Sequence, residues 1–420
     1  MKRVVVATIA TVAALTVATA CSSSSNKGST SGGTSTSASS SGTSGKTSST
    51  PLRILILAAT SVPAEAAAQG ENVVAAKTAI AQVNAAGGVL GHPVELQVAD
   101  EGGNPTTAVT KLNSALSGGS KPVAVLQTDV STIASAILPL TTQNKLVSMN
   151  SATTGDSGDV SKYPYNFDLD PSNASLAAAF CPQMKAAGAK TFALLHQDDQ
   201  YADSETDAVT KACQADGLTS VGNEKYNPTA LSMTPQIAAL QAKKPDVVML
   251  STYGAPAGYV LQDVSKVGWN VPILGDAAVM SSPPVTTTPP SGMLGTSLEA
   301  NLKCLVYAST AYSANEPAPV KTLIAGMKKN GGIASTLINT YAYDEVLMLS
   351  AAATAAGTTT DGAAITKALE NQPAGTVKTA VFPSYSFSAT NHSNDAPPSA
   401  FAFVKPTKLI DGQFGNPAAS

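Results

Sequence analysis

Two short polar runs hold the residues of this chain best suited to chemistry. Gln127-Thr128-Asp129-Val130-Ser131-Thr132 follows an apolar stretch at 122–126, and Asn150-Ser151-Ala152-Thr153-Thr154 follows another at 146–149. The hydroxyls of Thr128, Ser131, Thr132, Ser151 and Thr153, with loop N–H groups such as that of Ala152, can hold a small polar molecule by hydrogen bonds. Neither run contains histidine, cysteine or lysine, so the chemistry on offer is hydrogen bonding, not nucleophilic attack or metal ligation. His92, His196 and His392 lie far apart with no i,i+4 partner and no cysteine neighbour, so neither a metal nor a cofactor is expected. Gly-x-Ser-x-Gly and Gly-x-Gly-x-x-Gly patterns are absent. His196, with Asp198 and Asp199 just after it, fits a surface polar loop better than a cleft cluster. Thr153 has two readings, a ligand contact or the N-cap of a following helix.

The elements that must position these runs follow from hydrophobic periodicity. Each apolar stretch reads as a buried strand, and Ile133, Ile137, Leu138 and Leu140 mark one face of a helix between them. That is a βαβ unit, whose parallel strands end at the same sheet edge. Ligands of open α/β sheets bind outside that edge. The alternation continues, with strand patterns at 53–57, 94–98, 191–195, 246–250 and 272–275 separated by helical ones, which requires a second parallel sheet. The runs 302–307, 385–387 and 401–404 read as further strands, and the Pro/Thr-rich stretch 282–290 as an irregular insertion.

Composition sets the class. Of 420 residues about 50 at the start are not fold, which leaves enough chain for two domains of ordinary size. A net charge of −3 with only 13% charged residues argues against a nucleic-acid partner. Residues 1–20 read as a signal peptide: Met1-Lys2-Arg3, an apolar core too short to span a membrane, then Ala18-Thr19-Ala20. Cys21 follows directly and resembles a bacterial lipobox cysteine, the alternative being a plain secretory signal. Residues 21–50, after that cysteine almost all Ser, Thr and Gly, read as a flexible tether. In an exported chain a Cys181–Cys213 disulfide is plausible, because both fall on helices flanking the 191–195 strand, and Cys304 is then a buried thiol.

Further residues carry a resemblance. Val83-Asn-Ala-Ala-Gly-Gly88, Gly91-His-Pro-Val-Glu-Leu96 with Asp100, Asn104-Pro105 and the Ser148–Thr153 cluster are similar to branched-chain amino-acid (Leu/Ile/Val-type) solute-binding proteins of ABC importers. The resemblance spans nearly the whole mature domain. It implies two α/β lobes with parallel sheets, joined by three hinge crossovers that close on a ligand: lobe 1 from 51–171 with 303–378, lobe 2 from 172–302 with 379–414. It implies that the ligand is an amino acid, amide or small organic acid, that the partner is an ABC permease, and that the anchored protein is a monomer without enzymatic activity. It assigns ligand contacts to Ser131-Thr132 and Ser151-Ala152-Thr153, with Tyr201 and Tyr253 in the second lobe. The family's acidic partner for the ammonium group follows a Gly-Pro turn. Here Gly275-Asp276-Ala277 stands instead, so Asp276 is either displaced by one position or lost to the role. A tethered sensor that signals to a membrane receptor is the alternative to an importer component, and an enzyme is a third reading.

Overall fold

The computed structural model describes residues 50–63 and 65–415, so the signal segment, Cys21 and nearly all of the tether lie outside the described residues. The chain opens with β1 (Leu52–Leu57), α1 (Ala66–Ala85), β2 (Val94–Ala99), α2 (Pro105–Ser117), β3 (Ala124–Gln127), α3 (Ser131–Asn144), β4 (Val147–Asn150) and β5 (Asn166–Asp168). These strands form one parallel sheet in the order β2-β1-β3-β4-β5. Helices cover both faces of such a sheet, which is why β1 and β3 are apolar along nearly their whole length and do not alternate. Gln127 pairs with Asn150 in the β3–β4 register, so the two hydroxyl-bearing loops leave the sheet side by side.

The second half repeats the plan. It holds α4 (Asn173–Ala186), β6 (Thr191–Gln197), α5 (Gln200–Ala215), β7 (Thr219–Tyr226), α6 (Thr234–Lys243), β8 (Val247–Ser251), α7 (Ala255–Lys266), β9 (Ile273–Gly275), two short helices α8 (Ala277–Ser281) and α9 (Pro283–Thr286), and β10 (Leu302–Tyr307). The chain continues through α10 (Ala318–Asn330), α11 (Tyr341–Ala356) and α12 (Gly362–Glu370) to β11 (Phe401–Val404). The second sheet runs β11-β10-β9-β8-β6-β7, parallel except for the antiparallel edge strand β11.

Three expectations change. β10 lies in the second sheet and not in the first lobe: Leu302 pairs with Ile273, and Cys304 with Gly275 and Val404. An apolar run says that a strand forms, not which sheet takes it, and short β9 leaves an edge that β10 closes. Segment 385–387 is not a strand. The Asp344 carboxylate takes the N–H groups of Ala380, Val381 and Phe382 and the Tyr385 hydroxyl, and Phe387 packs edge-on against Phe167 of β5. That stretch therefore packs on the first lobe, and the third crossing lies between His392, bonded to Asn166, and β11. His196 belongs to no surface loop: it is buried near the end of β6, with Nδ1 at 3.0 Å from the Gln197 carbonyl. Cys181 on α4 and Cys213 on α5 are disulfide-bonded, and Cys304 is a buried free thiol.

Candidate functional site

A cavity of about 390 Å³ lies where the carboxyl ends of the two sheets face each other. Its first-lobe wall is built by Gln69 and Asn72 of α1 and by the two loops that follow β3 and β4, including Thr128, Ser131, Ser151, Ala152 and Thr153. Its second-lobe wall includes Gln197, Tyr201, Tyr253, Ala277 and Ala278. Asp170 and Tyr307 line it from segments where the chain crosses between lobes, and Tyr341 from the start of α11, which packs on α1. Among the described residues no lysine, arginine or histidine lines it.

The first-lobe loops are braced from behind. Asn150 takes the Ala152 N–H on its side-chain oxygen and donates to Asp168, which also accepts from Asn166 and Ser157 at 2.7–2.8 Å. Thr128 donates to the Gln69 side chain, whose NH₂ returns to the Thr128 carbonyl and to Asp129. The Thr128 hydroxyl proton is thereby used in holding the loop. Ser131 opens α3, a helix whose N-cap, Val130, has no side chain able to satisfy the first-turn N–H groups, which makes that end receptive to negative charge. Thr153 does not cap a helix, because the residues after it form turns. Its hydroxyl instead lies 3.5 Å from Asp170.

Asp170 is the acidic centre of the cavity. The hydroxyls of Tyr307, at 2.7 Å, and Tyr341 both donate to it. Burial lifts its carboxyl to about 6 against the pull of those donors. Sequence reading missed all three residues. Tyr341 opens α11 and reaches the cavity, while Asp344 one turn on holds the 380–382 turn.

Asp276 sits elsewhere than the resemblance implied. It caps α8, accepting the Val279 N–H at 2.7 Å, and it is fully buried behind Ala277. Ser251 Oγ lies 2.7 Å from Asp276 and 2.6 Å from Glu205, also fully buried. One hydroxyl proton cannot serve two carboxylates, so Glu205 must bring its own. Burial and the neighbouring Asp276 push its carboxyl well up, consistent with that, while Asp276 rises to about 6. Tyr201 lines the cavity and also bonds to Asp276, so this pair meets the cavity only through a phenol. Thr132 is exposed on α3 and does not line the cavity. Near it, Ser135 of α3 donates to Gln200 of α5 at 2.8 Å and joins the two lobes directly.

A further group of carboxyls stands in the first-lobe wall. Glu65 and Asp129 line the cavity, and Glu101 packs behind Asp129. Burial and the two neighbouring acids lift Asp129 to about 9, and burial likewise raises Glu65. Among the described residues no group of histidine, cysteine or acidic side chains is arranged to hold a metal ion.

The chain matches the periplasmic binding protein family model over residues 51–407. It is 25% identical over 299 residues to the Leu/Ile/Val-binding protein homolog 3 of Brucella melitensis, covering 70% of this chain and 77% of that protein. It is also 25% identical over 290 residues to the Leu/Ile/Val-binding protein BraC3 of Rhizobium johnstonii, covering 63% and 76%. The type 1 periplasmic binding protein of Bordetella pertussis superposes with a TM-score of 0.72 at 18% identity, over 87% of this chain and 99% of that one. A fatty acid ABC transporter substrate-binding protein from Thermomonospora curvata superposes with a TM-score of 0.66 at 16% identity, over 85% and 92%. Two parallel sheets facing each other across a cation-free, hydroxyl-lined cleft, together with a family match over nearly all of the described chain, lead to one statement: this chain belongs to the periplasmic binding protein family.

Proposed function

We propose that this protein is an extracytoplasmic receptor that captures an amino acid or a closely related ammonium compound between its lobes and delivers it to an ABC permease. The observation that carries this reading is Asp170, a buried acid with three hydroxyls around it, in a cavity that no basic side chain lines among the described residues. An ammonium group supplies the missing positive charge. The ligand's carboxylate is taken by the open N–H groups of α3 and by Ser131, Ser151 and Thr153. Relatives named as Leu/Ile/Val-binding proteins support the same class of ligand. Tyr201 and Tyr253 form the apolar second wall that closes over the bound molecule. No chemical step is proposed.

A thermal-shift panel of aliphatic amino acids, amides and small organic acids tests the reading. A ligand at 100 times its dissociation constant stabilises the fold by about 2.7 kcal/mol. Stabilisation by dicarboxylates and by no amino compound would overturn it. The anchor is tested separately: Cys21→Ser should release the protein into the medium with binding unchanged, and a wild-type chain without lipid removes the anchor from the proposal.

A further inference from the structure

The first-lobe wall holds carboxyls in excess of what an amino acid's own ammonium group requires. Asp170 at the interlobe crossing already serves that role in the reading above. Glu65, just before α1, and Asp129, in the β3–α3 loop, line the same cavity from a different part of the wall. Glu101, from the β2–α2 loop, is 1% exposed and packs against Asp129 from behind. Both oxygens of Glu101, one of Glu65 and one of Asp129 are buried. Three chain segments thus converge on acids that bond to one another and leave four buried oxygens that take no bond from any amide, hydroxyl or cation of the protein. Buried polar atoms of that kind call for a partner from outside. The placement is built: Gln69 of α1 donates to the Asp129 carboxylate at 3.2 Å and to the Thr128 carbonyl at 3.0 Å, fixing Asp129 at the cavity wall.

We infer that the bound amino acid carries a basic side chain, whose cationic end is received by Glu65 and Asp129 with Glu101 behind them. This rests on the amino-acid reading above and narrows it. An ammonium or guanidinium head brings several N–H donors on one positive charge, which suits carboxyl oxygens without donors. A bare metal ion fits less well, because the acids are not arranged as ligands around a point. The titratable groups that face the pair are Glu101 from its own lobe and Tyr253 from the other, the latter backed by Asp199. Burial keeps Tyr253 a neutral phenol. Because Asp129 holds its proton to well above neutral pH, an arriving cation displaces it. Binding therefore releases protons, and affinity rises as pH increases toward 9, the value to which Asp129 is lifted.

The test is calorimetry on the whole mature domain with lysine and norleucine, which share a chain length and differ in the terminal amine. Lysine should bind at least about tenfold tighter, a difference of about 1.4 kcal/mol. Its binding heat should depend on the buffer's ionisation enthalpy, and that of norleucine should depend on it less. Asp129→Asn and Glu65→Gln should each erase most of the preference while leaving norleucine affinity within about threefold. Melting curves confirm that each variant is folded, and Glu101→Gln provides a third if either is not. Norleucine or leucine binding as tightly as lysine, or a preference that survives both substitutions, overturns the inference and leaves the amino-acid reading standing. Failure of every α-amino acid to bind overturns both.

Discussion

The two walls of the cleft bury acids in opposite ways. In the second lobe Asp276 and Glu205 share Ser251, Asp276 takes a backbone N–H, one Glu205 oxygen is left without a donor, and Ala277 seals the pair from the cavity. In the first lobe Glu65, Asp129 and Glu101 leave oxygens without donors, and two of the three residues open onto the cavity. The second lobe also carries the disulfide between α4 and α5, and no other is formed among the described residues. A buried carboxyl that is given donors and then covered is structural. One left without them beside a cavity is held for a visitor. The second lobe is thus the braced wall and the first the reading wall.

Five substitutions break or sharpen that contrast. Cys181→Ser should have the largest effect. The disulfide joins residues 32 apart, and its loss should lower unfolding free energy by about 3–4 kcal/mol with affinity nearly unchanged. Asp276→Ala removes the α8 cap and strands the buried Val279 N–H. A denaturant melt should show a loss of about 2–3 kcal/mol, and an unaltered melt would mean that the sealed pair is not structural. Thr153→Ala inverts the pattern, weakening ligand binding by about 1–2 kcal/mol in calorimetry while stability barely moves. Asp129→Asn acts on pH dependence. Between its unfolded value of 3.8 and about 9, the folded chain holds a proton that the unfolded chain has shed. Ligand-free stability therefore falls as pH rises through that window, and Asp129→Asn should flatten the fall most between about pH 5 and 8. A slope identical to wild type would place the raised titration elsewhere. Ser135→Ala should be smallest, weakening binding by about 0.5 kcal/mol at most through the lost contact with exposed Gln200, read by titration at matched salt.

Much of the architecture was legible because parallel sheets write long apolar runs into a sequence, and the β3 and β4 exits could be placed side by side before any coordinates. Which sheet takes a strand was not legible. Leu302–Tyr307 reads the same in either, and pairing with β9 and β11 decided it. Of the expected ligand contacts, all but Thr132 and Asp276 line the cavity. Thr132 faces out because only its neighbour Ser131 lies on the inner side of α3. Asp276 fails because a strand-exit acid looks the same in sequence whether it is open or sealed. Asp170, Tyr307 and Tyr341 could not be found locally at all. Their hydrogen bonds join residues 137 and 171 positions apart, across two crossings of the chain.

That long reach has a consequence for how the molecule comes into being. Helix α1 is covered by helices made much later: Tyr343 donates to Gln82 at 2.6 Å, Asn330 donates to Thr78, and Gly326 is pressed so close to Thr78 that a Cβ there would lie 2.4 Å from its methyl group. The first sheet leaves the ribosome before the helices that shield it. At about 5–20 residues per second, the wait is on the order of ten seconds. Over that interval α1 and the first sheet stay uncovered, and the second sheet still lacks its edge strand β11. A chain that stops short of Tyr341 lacks part of the cavity's own lining, so ligand capture certifies that synthesis has run nearly to its end.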